Sequence, residues 1–305
     1  MPPVTIRFGG YQPPASVHNR AADLLGAKLS ARLGETVDFQ LEGNIIERGR
    51  SAADLLTMVE TGELTMCYFS SSYLADLVPE FALLDLPFVI TERVQAYAAL
   101  DGRLGRFLAQ KLAEISGYRI LAYWDNGFRH FSNRVHPIRA PADCAGLRIR
   151  TLSSALHTET FQRLGFDPVM LDVKDLIDAV KGGTIDAQDN PLTNIFNFDI
   201  HKFHRHITLS AHIFGTATVL VHKQSYDLWP DETRLAVDAS VAEATAAQRA
   251  FAAAEDALII DRLNQSGTKF ITLTAEERLQ FQNTVAPVIE KQRERFGAAL
   301  FNLLG

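Results

Sequence analysis

Cysteine is scarce in this sequence. Only Cys67 and Cys144 occur in 305 residues, and they form no C-x-x-C spacing. Small scaffolds held together by disulfides, and zinc sites built on cysteine cages, both require more cysteines than this. Both residues have apolar or small neighbours, so we predict that they are reduced and structural, and that they are neither ligands nor nucleophiles.

Long apolar runs are also missing. No stretch approaches the roughly 20 consecutive apolar residues that a membrane-spanning helix needs. The first residues, Met1–Phe8, lack the charged head, apolar stretch and small-residue cleavage site of a secretory signal. Two interpretations stand at this point: a cytoplasmic protein, or an exported protein whose signal has been removed.

Neither an excess of positive charge nor a known catalytic motif is present. The 30 Lys and Arg residues face 36 Asp and Glu residues, for a net charge of -6, which argues against a nucleic-acid-binding protein. The motifs G-x-S-x-G, G-x-x-x-x-G-K-S/T, G-x-G-x-x-G and H-E-x-x-H do not occur. His201, His204 and His206 lack the spacing of a zinc site, so we predict neither a metal nor a cofactor.

The sequence does contain a repeated alternation of strand and helix patterns. Its length suits two domains, and the alternation predicts an α/β fold with mixed sheets covered by helices. Ligand sites in such folds lie at the carboxyl ends of strands, where the loops Gly9–Pro14 and Ser70–Tyr73 are expected. The predicted strands are Val4–Phe8, Val37–Glu42, Met66–Phe69, Arg119–Trp124, His130–Asn133, Leu147–Thr151, Pro168–Leu171 and Ile185–Ala187. The predicted helices are Ser16–Leu33, Ala52–Glu60, Arg93–Glu114, Leu156–Leu164, Val173–Lys181 and Glu276–Phe296.

One further helix is predicted to be unusually long. Residues 231–264 contain neither proline nor glycine and are rich in alanine, glutamate and arginine. At about 1.5 Å per residue this helix would reach roughly 50 Å, which is longer than one domain requires. A helix that spans two domains is our interpretation, and a dimerising coiled coil is the alternative.

Five arginines are concentrated between Trp124 and Arg150, which is unexpected in an acidic protein. In the segment Gly146–Thr151, alternation places Leu147 and Ile149 on one face of a strand and Arg148 and Arg150 on the other. A guanidinium matches a carboxylate or a phosphate with two parallel hydrogen bonds, so one of these two is a candidate anion-binding residue. The remaining arginines are expected to be solvated surface charges. The five are Arg129, Arg134, Arg139, Arg148 and Arg150.

A second polar segment, Ile185–Pro191, ends in an asparagine that precedes a proline. Proline favours an extended conformation at Asn190, whose amide both donates and accepts hydrogen bonds. Asn190 is therefore either a pocket residue or a turn residue.

Together these segments resemble the extracytoplasmic solute-binding subunits of tripartite ATP-independent periplasmic (TRAP) transporters, of the dicarboxylate-binding type. Four blocks carry the resemblance and occur in the order typical of that family. They are PEFALLDLPFVI (Pro79–Ile90), AYWDNGFRHFSN (Ala122–Asn133), PIRAPADCAGLRIRT (Pro137–Thr151) and DAQDNPLTNI (Asp186–Ile195).

The resemblance implies site residues as well as a fold. It implies that Arg150 anchors a ligand carboxylate and that Arg129 and Asn190 are further polar contacts. It also implies two α/β domains that close on a central cleft, with the long helix as a brace. Weaker matches to family ligand-binding positions are Tyr11, Phe69, Ser70, Ser153 and Val173. Aromatic residues that we expect to line the cavity are Tyr11, Phe69, Tyr73, Trp124, Phe128 and Phe214.

The sequence departs from the family at two loops. Asn44–Arg50 replaces the usual S-Q-L-G-G, and Ser72 replaces a glycine that follows paired serines. Because such loops influence ligand choice in the family, we expect an unusual substrate. The aromatic candidates of the cavity slightly favour an acid with an apolar or aromatic body over a hydroxylated sugar acid.

We therefore predict a periplasmic, monomeric protein that captures a small carboxylate and delivers it to membrane permease subunits. It would not be an enzyme and would not bind nucleic acid. Domain I is predicted to comprise residues 1–124 and about 212–250, and domain II residues 125–211 and about 251–305. A cytoplasmic α/β enzyme acting on an organic acid, and a carboxylate-binding protein linked to a sensor, remain alternatives.

Overall fold

In the part of the chain that the structure describes, nine strands form one mixed sheet. The computed structural model describes residues 2–265 and 267–304. The strand order is β2-β1-β3-β8-β4-β7-β5-β6, and β9 pairs with β8. The strands are β1 (Val4–Gly9), β2 (Val37–Glu42), β3 (Met66–Ser70), β4 (Tyr118–Asn133), β5 (Arg148–Thr151), β6 (Asp167–Met170), β7 (Ala187–Pro191), β8 (His206–His222) and β9 (Lys269–Thr272).

Helices follow most strands, and several begin or end at residues that favour those positions. Ser16, Ser154 and Asp172 accept backbone hydrogen bonds at the starts of α1, α5 and α6, and Thr274 forms a capping box with Glu277 at the start of α10. The helices are α1 (Val17–Leu33), α2 (Asp54–Glu60), α3 (Arg93–Asp101), α4 (Arg103–Ile115), α5 (Ala155–Leu164), α6 (Val173–Gly182), α7 (Leu192–Asn197), α8 (Lys223–Leu228), α9 (Asp231–Gln265), α10 (Ala275–Phe296) and α11 (Ala298–Phe301).

Three corrections to the predicted elements concern the middle of the sheet. The predicted strands Arg119–Trp124 and His130–Asn133 are one strand, β4, which stays continuous through irregular pairing near Gly127 (φ 93°). The predicted strand Ile185–Ala187 instead lies at Ala187–Pro191 as β7. The 17-residue β8 was not predicted at all, because it is buried along most of its length and shows little alternation.

Buried apolar side chains form three clusters that define two lobes. The largest cluster surrounds β1, β2, β3, α1 and α2 and includes Phe8, Tyr68 and Trp124; we call this part lobe I. The two smaller clusters surround β5, β7, α5, α6 and α7, and we call this part lobe II. The antiparallel pair β4 and β8 runs through both lobes and joins their sheets into one.

The long helix α9 contains 35 residues and matches its predicted span to within one residue. It packs against α1 and β4 of the same chain, where Arg20 forms an ion pair with Glu255 at 2.8 Å. Near its middle, Gln248 accepts a hydrogen bond from Asp125 N (2.8 Å) and donates one to Asp125 O (2.6 Å). This side chain ties the helix to β4 just before Gly127.

The observed architecture confirms the predicted α/β class with a mixed sheet covered by helices. Cys67 and Cys144 are both buried and free of disulfide bonds. Of the helices in the described residues, none combines the length and the hydropathy that crossing a bilayer requires.

Candidate functional site

Arg150 lies on β5 of lobe II and is far more enclosed than Arg148 on the same strand. Leu147 and Ile149 are buried on one face, as the alternation predicts, and Arg148 and Arg150 differ sharply on the other. The Arg148 side chain is 46% exposed and forms an ion pair with Asp186 at 2.8 Å. Arg150 is 3% exposed because β6 and the chain after it cover the end of the strand. Of these two arginines, Arg150 is the one that the protein encloses.

The Arg150 guanidinium has unused hydrogen-bonding capacity. Its Nε donates to the Leu171 carbonyl oxygen at 2.9 Å, and within the described residues no partner reaches its buried Nη2. Burial raises the pKa of the Tyr73 hydroxyl, and the positive charge of Arg150 opposes that rise. A buried cation with a free N–H donor beside tyrosines is suited to bind an anion.

Arg129 lies on β4 and is already paired with a carboxylate of the protein. Its Nε donates to Asp189 Oδ2 (2.5 Å), and its Nη2 donates to Asp189 Oδ1 (3.0 Å) and to the Asp189 carbonyl oxygen (2.6 Å). Burial alone would raise the pKa of Asp189, but the Arg129 charge holds that pKa well below its usual range. His212 Nε2 lies 3.3 Å from Asp189 Oδ2. Asp189 thus compensates the charge of Arg129 from within the protein.

Asn190 neighbours this pair on β7, opposite His130 of β4. It is 5% exposed, its Nδ2 donates to Gln188 Oε1 (2.5 Å), and its Oδ1 accepts from Asn194 Nδ2 (3.3 Å). The residue belongs to a strand and a buried amide network, and not to an exposed turn.

Three predicted aromatic residues converge beside Arg150. The ring centroid of Phe69 lies 5.0 Å from that of Tyr73 and 6.2 Å from that of Tyr11. Burial raises the pKa of Tyr11, Tyr73 adds to the rise, and Arg129 and Arg150 oppose it, so both cations lie near this hydroxyl.

A cavity of about 460 Å³ opens between the two lobes at this point. Lobe I and lobe II both contribute to its wall, and Leu171, whose carbonyl holds Arg150, is part of it. Of the predicted residues, Phe69, Tyr73 and Ser153 line the cavity. The other lining residues are Ala53, Leu56, Asp76, Leu77, Tyr118, Met170, Leu171 and Asp172.

Trp124 and Phe214 lie in the core and not along this cavity, which corrects the predicted wall. The Trp124 indole is fully buried, stacks on Phe8 with a centroid distance of 6.1 Å, and donates to Thr245 Oγ1. Phe214 is 1% exposed and makes an edge contact with Phe128 (5.1 Å). Both rings fill space next to the β4–β8 pair.

Ser70 and Val173 occupy the ends of elements close to the lobe boundary. Ser70 ends β3, is 5% exposed, and its Oγ lies 3.5 Å from Ser72 Oγ, which in turn donates to Asp85. Val173 begins α6 and packs against clusters of both lobes. Neither side chain has a direct contact with Arg150 among the contacts described here.

Sequence reasoning missed two acidic residues of this region. Asp189 precedes Asn190 in the same segment, and its position next to a predicted pocket residue was the available signal. Asp172 lines the cavity as the first capping residue of α6, and nothing in its local pattern distinguishes it from an ordinary helix cap.

The histidine-rich segment makes contacts within the protein. His201 Nδ1 lies 3.3 Å from the Ile195 carbonyl oxygen, and His204 Nδ1 lies 3.1 Å from Ser132 Oγ. Among residues 2–265 and 267–304, no group of three or more His, Cys, Asp or Glu side chains is arranged to hold a metal ion.

Comparison with known proteins gives consistent results. Residues 8–295 match the family model described as bacterial extracellular solute-binding protein, family 7 (DctP). The chain is 31% identical to the 2,3-diketo-L-gulonate-binding periplasmic protein YiaO of Escherichia coli over 222 residues, which are 73% of this chain and 67% of that protein.

Solved structures match over the whole chain. The sugar acid binding protein DctPAm from Advenella mimigardefordensis in complex with galactonate is 26% identical with a TM-score of 0.95, over 100% of this chain and 97% of that one. A TRAP periplasmic solute binding protein from Sulfurospirillum deleyianum with bound succinate is 26% identical with a TM-score of 0.93, over 100% of this chain and 99% of that one.

Proposed function

The chain belongs to family 7 of the bacterial extracellular solute-binding proteins, and we propose that it captures a small organic acid and delivers it to the membrane subunits of a TRAP transporter. The family match confirms the resemblance predicted from the sequence, including its two-domain periplasmic-binding fold. It also favours a binding protein over the alternative of an organic-acid enzyme, because solute binding is the family's described role.

The observation that carries the proposal is the buried, incompletely paired guanidinium of Arg150. An uncompensated cation in the protein interior is costly, and a ligand carboxylate that fills Nη2 relieves that cost. The cavity beside it is lined by Phe69, Tyr73 and Ser153, which supply apolar surface and hydroxyl groups. We propose Arg129 and Asn190 as further polar contacts, and hydrogen bonds to Asp189 and Gln188 fix their orientation.

Capture by closure of two domains follows from where the lining residues come from. Ala53 and Phe69 belong to lobe I, whereas Ser153 and Asp172 belong to lobe II. We propose the predicted division, with residues 1–124 and about 212–250 in domain I, residues 125–211 and about 251–305 in domain II, and α9 bracing both. A ligand that contacts both lobes binds the closed form better and shifts the balance toward it.

We further propose a periplasmic location, a monomeric state and TRAP permease subunits as partners. Relatives of the chain are periplasmic binding proteins, which supports the location. Packing of α9 on α1 and β4 of its own chain supports the monomer, because that surface is then not free for a coiled coil.

A thermal-shift screen with organic acids tests the function. The panel comprises aliphatic monocarboxylates, dicarboxylates, keto acids, sugar acids and aromatic acids, applied to protein stripped of co-purified ligand and checked by native mass spectrometry. A ligand at about 100 times its Kd stabilises the folded state by about 2.7 kcal/mol. We expect at least one acid to raise the melting temperature.

Arg150→Ala and Arg148→Ala form a matched pair for that screen. Losing the buried partner of a ligand carboxylate costs about 2–5 kcal/mol of affinity, so Arg150→Ala should abolish the shift at the same concentration. Arg148→Ala changes the same strand at an exposed position and should keep the shift. An Arg150→Ala protein that binds as tightly as the parent would show that the anchor is misassigned, and no shift with any acid would contradict the proposed function.

A further inference from the structure

Among the described residues, the cavity has too few free cations beside it to pair with two ligand carboxylates. Arg150 has a free N–H donor, whereas the charge of Arg129 is paired with Asp189 through its Nε and Nη2. Two carboxylate side chains line the cavity itself: Asp172, which is partly buried, and Asp76, which is exposed. Besides burial, the negative charge of Asp172 raises the pKa of the Tyr11 and Tyr73 hydroxyls, and the positive charge of Arg150 lowers both. Arg150 is therefore the cation with a free donor described beside this cavity, and Asp172 is the more enclosed of its two carboxylates.

Asp172 is held in position by backbone amides and not by a cation. Its Oδ1 accepts from Lys174 N at 3.0 Å as the cap of α6, and Ala52 N of lobe I approaches the same oxygen at 3.5 Å. In the described part of the chain, the ion pairs include no partner for Asp172. Its negative charge is therefore directed at whatever occupies the cavity.

We propose that Asp172 makes the site selective for monocarboxylates over dicarboxylates, with Arg150 binding the single carboxylate. This inference rests on the proposed function and specifies its substrate class. A second carboxylate would meet Asp172 and would find no free cation among the described cavity residues. Phe69, Leu56 and Leu171 offer it no hydrogen-bond donor from their side chains, and Tyr73, Tyr118 and Ser153 offer hydroxyl groups but no positive charge.

The size of the effect can be worked from Coulomb's law. Like charges roughly 6 Å apart, in surroundings with an effective dielectric constant of about 20, repel enough to weaken binding by about 100-fold. The apolar walls also weaken the binding of a dicarboxylate, because its second charged group would lose water when it is placed against them. An aliphatic or aromatic acid of moderate size fits both constraints.

Titration calorimetry with matched acids tests the selectivity. The pairs are pentanoate with pentanedioate, and benzoate with benzene-1,4-dicarboxylate; 5-aminopentanoate, whose far end carries the opposite charge, is compared with pentanedioate. We expect each monocarboxylate to bind about 100-fold more tightly than its dicarboxylate, and 5-aminopentanoate to bind more tightly than pentanedioate because its ammonium group is attracted to Asp172. A dicarboxylate that binds as tightly as its monocarboxylate, or 5-aminopentanoate binding no more tightly than pentanedioate, would overturn the inference.

Asp172→Asn and Asp175→Asn separate the carboxylate from the rest of the helix end. Asparagine caps a helix as well as aspartate, so Asp172→Asn keeps the start of α6 and removes only the charge. Asp172→Asn should reduce the ratio of the dicarboxylate Kd to the monocarboxylate Kd at least 10-fold. Asp175 is exposed in the first turn of the same helix, so Asp175→Asn should leave that ratio unchanged. An unchanged ratio in Asp172→Asn refutes the role of Asp172.

The two proposals fail in different ways. If dicarboxylates bind well and Arg150→Ala removes that binding, the solute-binding function stands and the monocarboxylate selectivity is wrong. If no acid of any class binds to stripped protein, the proposed function is wrong and the selectivity falls with it.

Discussion

Replacing Asp189 by asparagine should strongly destabilise the protein, because it leaves the Arg129 guanidinium buried with a neutral partner. The two side chains are 5% and 0% exposed and share two hydrogen bonds, while a third goes to the Asp189 carbonyl oxygen and survives the change. Breaking a buried pair on one side costs about 3–5 kcal/mol. We expect Asp189→Asn to lower the free energy of unfolding by that amount.

Urea unfolding followed by far-ultraviolet circular dichroism at pH 7.5 measures this loss. The matched control is Asp186→Asn, three residues away, whose carboxylate pairs with the solvated guanidinium of Arg148. Exposed ion pairs contribute little, so the control should lose only a small fraction of the stability that Asp189→Asn loses. Equal losses in the two variants would refute the argument that burial makes the Arg129–Asp189 pair essential.

Stability should also fall steeply in mild acid, because burial lowers the pKa of five histidines in the folded state while the unfolded chain titrates near 6.5. They are His18 (about 3), His130 (about 3), His204 (about 4), His206 and His212. The unfolded state then binds more protons between pH 6 and pH 4, so this stability is complete above pH 6.5 and falls below it by about 1.4 kcal/mol per pH unit for each histidine that stays neutral in the folded state. His18→Phe should reduce the slope by about that amount in urea titrations at pH 6, 5 and 4, and an unchanged slope would contradict it. Gly127→Ala should lower the free energy of unfolding by about 1–3 kcal/mol, because Gly127 has φ 93° and an added Cβ would lie 3.0 Å from Pro191 Cβ. The control Gly182→Ala, with open space around the added Cβ, should leave that free energy unchanged, and equal losses in the two variants would contradict backbone strain at Gly127. Gln248→Leu should lower the free energy of unfolding by about 2–4 kcal/mol, because it leaves the buried backbone N–H and C=O of Asp125 without the bonds that Gln248 makes to them. A loss below about 1 kcal/mol, as in an ordinary surface substitution, would contradict this account.

Local patterns in the sequence predicted local elements well. Strand β2 matches its predicted bounds, and α1 begins one residue after its predicted start because Ser16 is its cap. β8 was missed because its burial over most of its length removes the alternation on which strand prediction depends. β4 was split in two because Gly127 is typical of a turn, whereas here it permits an irregularity within one strand.

The chemistry of the site was only partly visible in the sequence. Alternation along β5 placed Arg148 and Arg150 on one face, but the enclosure of Arg150 alone depends on β6 and the chain after it. The role of Arg150 as anchor stays a prediction. The pairing of Arg129 with Asp189 joins residues 60 positions apart, and no spacing rule connects them. Trp124 and Phe214 were expected at the cavity because they are aromatic, but the β4–β8 pair turns them into the core. The residue types of the site were thus easier to infer than which side chains pair with each other and where each side chain points.

Strands β1, β2 and β3 of lobe I are synthesised long before β8, the strand that completes their sheet. The open edge of β3 pairs with Ala217–Val221 of β8, about 150 residues further along the chain. At 5–20 residues per second, roughly 8–30 s pass before that partner strand is synthesised. During this interval the edge presents unpaired N–H and C=O groups, which attract other strands. The sheet of lobe I therefore cannot be completed until the chain has been synthesised as far as Val221.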